Sequence, residues 1–194
     1  IMSIEYYVFT ESKTDFSMDS VALFLDTTPL PIDFAGGPYA IRLLEDRCWD
    51  YSHVKHSKSK VIRNACSIAC CRKPDAAAMD ELLDAPNPES IREFFAEPGR
   101  GLIPVDIEAD FSFARQYDGE SASEYLDTSV DDECVQALIS ATRCVRVLAT
   151  GEGWVHLVFA HALAHVYCGL FFDPQSGDRT LYRMDDHQSA DGYE

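Results

Sequence analysis

The sequence predicts an α+β fold in which a mainly antiparallel sheet packs against several helices and the chain closes with a C-terminal β-hairpin. Two observations favour strands: residues 4–9 are rich in β-forming side chains, and apolar and polar residues alternate over residues 103–113. Elsewhere apolar residues recur at helical spacing behind recognisable caps. With 194 residues, 46% of them apolar, the chain can bury a full core. We therefore expect a single α+β domain over residues 1–194.

The ends and the first part of the chain contain weaker signals. We expect residues 1–2 to be a leftover ahead of the native start and residues 186–194 to be a frayed tail. Ser17 is predicted to cap a helix that follows the first strand. Proline and glycine punctuate an irregular stretch before residue 39, and residues 39–44 are predicted to form a second strand.

Residues 51–73 differ from the rest of the chain because they contain six basic residues and no acidic one. We interpret them as a solvated segment whose charges pair with the acidic remainder of the molecule. A basic site for an anion is the alternative interpretation.

Two short helices are predicted next, as parts of the scaffold. The first follows Pro74 and places Met79 on its apolar face. The second begins at Asn87, a favourable N-cap, with Pro88 at the first helical position, and stops at residues 98–99.

The alternating segment contains Asp106, Glu108 and Asp110. Because the side chains of a strand alternate between its two faces, we expect these three acids on one face. Pro104 cannot donate a ladder hydrogen bond, so the strand is predicted to lie at an edge or to begin at a bulge. The acidic face is then either a contact surface or a solvated face that discourages unwanted strand pairing.

The last part of the chain is predicted to contain two helices and the hairpin. The Ser-Val-Asp-Asp sequence at residues 129–132 resembles a capping box, ahead of an amphipathic helix that runs to about Leu148. A buried helix is expected from Trp154, with Gly169 as its stop. Asp, Pro and Gly within residues 173–177 favour a tight turn, after which the chain returns as a paired strand.

The chain is strongly acidic, with 33 Asp and Glu against 16 Lys and Arg and a formal charge of −17. This charge repels phosphate backbones and anionic lipid, so we expect no direct nucleic-acid binding and no membrane association. The longest apolar stretch, residues 155–172, is interrupted by three histidines and is a poor membrane span. The N-terminus lacks the pattern of a secretory signal. We therefore expect a cytoplasmic protein whose seven cysteines are reduced thiols.

His161 and His165 stand four residues apart and would share one helix face, with Cys168 one turn further on. These are zinc-ligand types, so a metal-dependent hydrolytic enzyme is one alternative function. The sequence lacks the glutamate that follows the first histidine in metalloprotease helices, and histidines among apolar residues are more often hydrogen-bonded core residues. Motifs for a catalytic serine or a phosphate loop are also missing. We predict a non-enzymatic protein with no catalytic residue, metal or cofactor.

An Ala-rich helix followed by Gly-Leu-Phe-Phe-Asp-Pro-Gln-Ser-Gly at residues 169–177 resembles the C-terminal part of several families of bacterial immunity proteins. Those families neutralise secreted polymorphic toxins, including toxins delivered by type VI secretion. The resemblance implies a cytoplasmic protein that binds a cognate toxin and blocks its active site or its substrate access. An acidic regulatory or adaptor domain for another basic protein is the remaining alternative.

The expected toxin contacts are acidic side chains in the alternating segment and in the loop after it. They are Asp106, Glu108, Asp110, Asp118 and Glu120. Toxins that attack nucleic acids or nucleotides often present a cationic cleft, which an opposed negative surface attracts and occludes.

Overall fold

The computed structural model describes residues 4–14, 20–21, 39–44, 64–149 and 154–183. The strands in these ranges are β1 (Ile4–Thr10), β2 (Tyr39–Leu44), β3 (Asn64–Arg72), β4 (Gly101–Glu108), β5 (Arg143–Ala149), β6 (Leu170–Phe172) and β7 (Arg179–Leu181). The helices are α1 (Ala76–Asp84), α2 (Pro88–Phe95), α3 (Phe113–Gln116), α4 (Ala122–Leu126), α5 (Glu133–Ser140) and α6 (Trp154–Val166). Within the described ranges, no helix has both the length and the apolar character needed to cross a membrane.

The seven strands form one sheet in the order β2-β3-β4-β5-β1-β6-β7, and each neighbouring pair is antiparallel. The predicted α+β class, with an antiparallel sheet, several helices and a C-terminal hairpin, is confirmed. β1 lies between β5 and β6, so the first strand pairs with two strands from the far end of the chain. The single domain over residues 1–194, the leftover at 1–2 and the frayed tail at 186–194 stay predictions.

One face of the sheet is apolar and packs against α6. Because side chains alternate along a strand, Val8 of β1 shares this face with Val145 and Val147 of β5, and all three are buried. α6 contains no Asp, Glu, Lys or Arg, and its side chains over residues 156–165 are buried except for the half-buried Leu157. A helix that is apolar all round is typical of a core position. We call this side of the sheet the α6 face.

The opposite face is covered by the other helices, in two separate places. α1 and α2, the first helical group, pack on Ala69, Cys71 and Leu102 of β3 and β4. α3, α4 and α5, the second helical group, pack on Phe9 and Cys144 and on the end of the sheet formed by β6. The five helices of these two groups therefore lie on one side of the sheet, and α6 lies on the other, where the helical residue Val21 is also buried.

The acidic strand is shorter and more central than the sequence predicts. β4 ends at Glu108 and pairs with β3 on one side and β5 on the other, so the prediction of an edge strand or a bulge was wrong. Pro104 is tolerated because it lies where β4 pairs with β3 alone, before the pairing with β5 begins at Val105. Asp110 lies in the turn after the strand, so the three acids do not share one strand face.

The predicted helix up to Leu148 was also wrong. α5 ends at Ser140, and the next residues form β5, whose Val145 and Val147 alternate into the core. The helical spacing of Val135 and Leu138 continues to Val145 by coincidence, which concealed the start of the strand.

The predicted capping box at residues 129–132 is replaced by a simpler cap. The Asp132 carboxylate accepts a hydrogen bond from the Cys134 amide at 2.8 Å. The capping box occurs earlier, at the start of α4, where Ser121 and Glu124 bond each other's backbone amides at 3.2 and 3.1 Å.

The predicted solvated segment at residues 51–73 is wrong for the part that the structure describes as a strand. Residues 64–72 form the interior strand β3, in which Ala69, Cys70 and Cys71 are buried. Residues 51–63 lie outside the described part of the chain, as do most of the helix expected after Ser17 and the cap itself.

Other local signals are confirmed. Asn87 caps α2, since its side-chain oxygen accepts hydrogen bonds from the amides of Glu89 and Ser90 at 2.9 and 3.2 Å, and Pro88 begins the helix. The hairpin turn is fixed by the Asp173 carboxylate, which accepts the Gln175 amide at 2.9 Å. These elements depend on neighbours in sequence, which explains why local patterns predict them.

Gly169 follows the end of α6, but it does not adopt the left-handed conformation for which glycine is usually selected at that position. The left-handed backbone conformation belongs to Cys168, with φ of 50°, rather than to Gly169. A Cβ added to Gly169 would lie 2.7 Å from the Phe9 carbonyl oxygen, so glycine is needed for close approach to β1.

We expect Gly169→Ala to destabilise the fold by about 2–3 kcal/mol, because β1 or the end of α6 must move to admit the methyl group. Gly119→Ala is the matched control. Gly119, unlike Gly169, has a positive φ, but an added Cβ meets nothing within 4 Å there, so only backbone strain of about 1 kcal/mol is expected. Urea denaturation measures both losses, and equal losses in the two variants would contradict the close contact.

Candidate functional site

Among the described residues, the acidic side chains are concentrated on one side of the sheet. Residues 75–133 contain 17 acidic residues and only three basic ones, Arg92, Arg100 and Arg115. This range includes the helices of both helical groups, except for most of α5. α6, on the other side of the sheet, contains no residue of either charge. The excess negative charge in the described part of the chain is therefore concentrated on the side opposite α6.

Two acids, Asp80 on α1 and Asp75 just before it, pair with arginines of the sheet region. Arg42 of β2 forms a bidentate ion pair with Asp80, with nitrogen–oxygen distances of 2.9 and 3.0 Å. The Nε atom of Arg100 lies 3.3 Å from Asp75, and its guanidinium stacks over the Phe94 ring at 4.1 Å. These half-exposed pairs hold α1 and α2 against the sheet and reduce the free negative charge of this group.

The second helical group presents the more strongly acidic surface. Residues 108–133 contain nine acidic residues, and Arg115 is the one basic residue among them. Most of these carboxylates are exposed: Asp110, Asp118, Glu120, Glu124, Asp127, Asp131 and Glu133. Backbone hydrogen bonds lower the pKa values of Glu124 and Asp132 below their ordinary values, so both stay ionised at neutral pH.

A half-buried polar strip crosses the sheet on the same side. It consists of Glu5 and Tyr7 on β1, Arg146 on β5 and Glu108 on β4. Arg146 lies between Tyr7 and the position of Asp106 in the strand register, and Glu108 lies opposite Cys144. The strip therefore places one cation among carboxylates in the middle of the sheet.

Tyrosine hydroxyls border this strip. The Tyr7 hydroxyl donates a hydrogen bond to Glu5 Oε2 at 2.7 Å, and the Tyr117 and Tyr125 hydroxyls lie 3.2 Å apart. Burial, followed by the bond to Glu5, raises the pKa of Tyr7 far above its ordinary value. These phenols are neutral hydrogen-bonding groups at physiological pH rather than acids or bases.

The predicted contact residues lie on three different elements. Asp106 and Glu108 are in the interior strand β4, Asp110 is in the turn after it, and Asp118 and Glu120 are exposed in the loop between α3 and α4. Asp118 and Glu120 thus belong to the acidic surface of the second helical group, whereas Glu108 belongs to the polar strip.

Sequence reasoning missed Arg146, Glu5 and Tyr7. The β-branched Val145 and Val147, two residues apart, are the local signal that could have indicated the strand that carries Arg146. The neighbours of Arg146 could not have been identified from the adjacent sequence, because Tyr7 lies beside Arg146 only through the pairing of β1 with β5.

The histidines of α6 are core residues. His161 Nδ1 lies 2.8 Å from the Tyr182 hydroxyl, and its ring stacks on Phe171 with a centroid distance of 3.8 Å. Cys168 follows the end of α6 in a left-handed conformation rather than extending the helix face of the two histidines. Among the described residues, no three His, Cys, Asp or Glu side chains are grouped so that they could hold a metal ion.

Four described cysteines, Cys70, Cys71, Cys134 and Cys144, are free thiols that burial makes unreactive. Burial is the largest cause that raises the pKa of Cys71 and of Cys134 to about 11. Burial raises the pKa values of Cys70 and Cys144 further still. Because the thiolate is the reactive form, these residues are poor nucleophiles at neutral pH.

His156 gives a test of the buried helix. Its two ring nitrogens have no hydrogen-bond partner among the described residues, and burial lowers its pKa from 6.5 to about 4. The unfolded chain therefore binds a proton between these pH values and the folded protein does not, so stability is lost as pH falls.

We expect the free energy of unfolding to lose about 2 kcal/mol between pH 7 and pH 5 through His156 alone. His156→Leu removes this contribution, so urea titrations at the two pH values should show a smaller loss in the variant than in the wild type. Identical losses would contradict the buried, neutral state of His156.

Comparisons of this chain with protein-family models, with curated proteins and with solved structures found no match.

Proposed function

We propose that the protein is an immunity protein, which binds a cognate secreted toxin in the cytoplasm of the producing cell and blocks its active site or its access to substrate. The toxin's contact surface is cationic, and toxins delivered by type VI secretion are the expected class. The acidic surface of the second helical group makes the contact.

The segregation of charge across the sheet is the observation that supports this proposal most. A chain with a formal charge of −17 could spread its carboxylates evenly, yet 17 of its 33 acids fall in residues 75–133, on or beside the helices opposite α6. A one-sided field orients a cationic partner during its approach and increases the association rate. An even distribution would give attraction without orientation.

The two parts of the site suit different steps of binding. Exposed carboxylates such as Asp118 and Glu120 act at long range and are screened by salt, so they affect mainly the association rate. The polar strip contains groups already half desolvated, among them Arg146 and Glu108. Such groups contribute to the lifetime of a complex, because a partner that covers them must supply matching hydrogen bonds.

Asp106 and Glu108 are less suitable for testing contact than Asp118 and Glu120. They lie in an interior strand beside Arg146 and Cys144, so a lysine there would place positive charge next to Arg146 and weaken the sheet. A loss of binding in such a variant would not distinguish a lost contact from a lost fold.

Asp118→Lys/Glu120→Lys is expected to slow association with the toxin by about tenfold or more and to weaken its dependence on salt. Glu11→Lys/Asp178→Lys is the matched control, since it changes the net charge equally at exposed positions outside residues 75–133. Stopped-flow measurements at several salt concentrations give the association rate and its salt dependence for each variant. Equal slowing in the two variants would mean that only the total charge matters.

The toxin itself is identified by co-expression with the product of the adjacent gene. Rescue from growth arrest together with a stable complex is the expected result. A stable complex without any toxicity would indicate an adaptor for another basic protein, and the lack of both would contradict the proposed function.

A further inference from the structure

Two large apolar side chains are exposed on the acidic surface of the second helical group. Val130 is 67% exposed and Ile139 is 56% exposed, and in the described part of the chain these two are the exposed large hydrophobic residues. Val130 lies in the turn before α5 and Ile139 lies in α5 itself. Single exposed apolar residues are normal on a protein surface, whereas here both fall in one short acidic segment. We call Val130 and Ile139 the apolar pair.

Ile139 belongs to the outward side of α5. The inward side of this helix is formed by Val135 and Leu138, which are buried in the core of the second helical group. Glu133, Gln136 and Ile139 recur at a helical spacing of three residues and are exposed. The packing of the helix against the sheet therefore does not explain why its outward side carries a large apolar residue.

Hydrogen bonds hold the turn that carries Val130. The Asp132 amide donates to the Ser129 carbonyl at 3.1 Å, and the Thr128 hydroxyl donates to the Asp132 carboxylate at 2.9 Å. The same carboxylate caps α5, so the turn and the helix are joined through one residue. A helix of this length spans about 12 Å, which is well within the footprint of one protein partner. The apolar pair is therefore presented on an ordered surface, and a partner needs to order few further side chains to cover it.

The charge around the apolar pair limits what can cover it. Residues 116–142 contain seven acidic residues and no lysine or arginine. Arg183 pairs with Glu133 at the start of α5, whereas Asp127 and Asp131, which flank the turn, are exposed. In a symmetric contact two copies of the chain would bring these acidic segments face to face, which the repulsion of like charges opposes. A partner that covers the pair therefore needs both apolar and basic side chains.

We propose that the apolar pair is the apolar centre of the toxin-binding surface, and that the cognate toxin covers it with an apolar side chain flanked by lysine or arginine. This inference rests on the proposed function and adds the contact that determines the lifetime of the complex. Exposed acids act mainly on the association rate, whereas apolar area removed from water slows dissociation. Protein interfaces commonly consist of an apolar centre with a polar rim, and the pair with its neighbouring acids has this arrangement.

Ile139→Ser and Val130→Ser, made separately in the full chain, test the apolar pair in the complex with the product of the adjacent gene. Serine has a helix propensity close to that of isoleucine and is favourable in turns, so unchanged midpoints of urea denaturation are expected. Each variant should dissociate about tenfold faster at an unchanged association rate, as measured by surface plasmon resonance. Ala78→Ser, at an exposed position of α1 in the first helical group, is the control and should dissociate at the wild-type rate.

A stable complex from which both serine variants dissociate at the wild-type rate would overturn this inference and leave the proposed function standing. Equally fast dissociation of the Ala78→Ser control would overturn it as well, because the effect would not be specific to the pair. Sedimentation velocity of the protein alone tests the remaining occupant. A dimer that either serine variant converts to monomer would assign the pair to a second copy of the chain. The lack of any complex with the product of the adjacent gene would contradict the proposed function and this inference together.

Discussion

The pairing of β1 with both β5 and β6 is the constraint on which the rest of the structure depends. It joins residues 4–10 to residues 143–149 and 170–172. The sheet is therefore complete only when strands from the beginning and the end of the described chain pair with each other. The register brings Tyr7 beside Arg146, which forms part of the polar strip. It also brings Phe9 beside Cys144, and these two residues are the part of the sheet on which the second helical group packs. Gly169 permits this arrangement by lying against the Phe9 carbonyl.

The two faces of the sheet have different roles in the molecule. α6 and the valines of β1 and β5 supply an uncharged core on one face, where burial of apolar area is the main source of stability. The other face carries amphipathic helices whose outward sides are free to be acidic. The concentration of carboxylates opposite α6 follows from this division, and so does the direction of the field that we propose attracts a cationic toxin.

Much of the fold is predictable because its signals are local. The β-forming residues 4–9, the Asn87 cap and the hairpin turn at residues 173–177 depend on side chains a few positions apart, and the structure confirms each of them. β5 was mistaken for helix because Val145 continues the spacing of α5. The interior position of β4 could not be inferred from Pro104, since a proline restricts only the ladder on its own side.

The site was predictable only in part. Asp118 and Glu120 were identified from composition, and they are exposed on the second helical group. Arg146 and Tyr7 come from segments far apart in sequence, so their proximity is a property of strand register rather than of any motif. Composition indicates how much charge a chain has, whereas topology determines where that charge lies.

Hydrogen–deuterium exchange of the protein alone and bound to the product of the adjacent gene tests the central claim most directly. The account predicts that binding slows exchange in residues 113–133, the acidic part of the second helical group, and leaves the hairpin turn at residues 173–178 unchanged. Protection confined to the hairpin turn, or a complex that leaves residues 113–133 unprotected, would contradict a toxin-binding surface on the side of the sheet opposite α6.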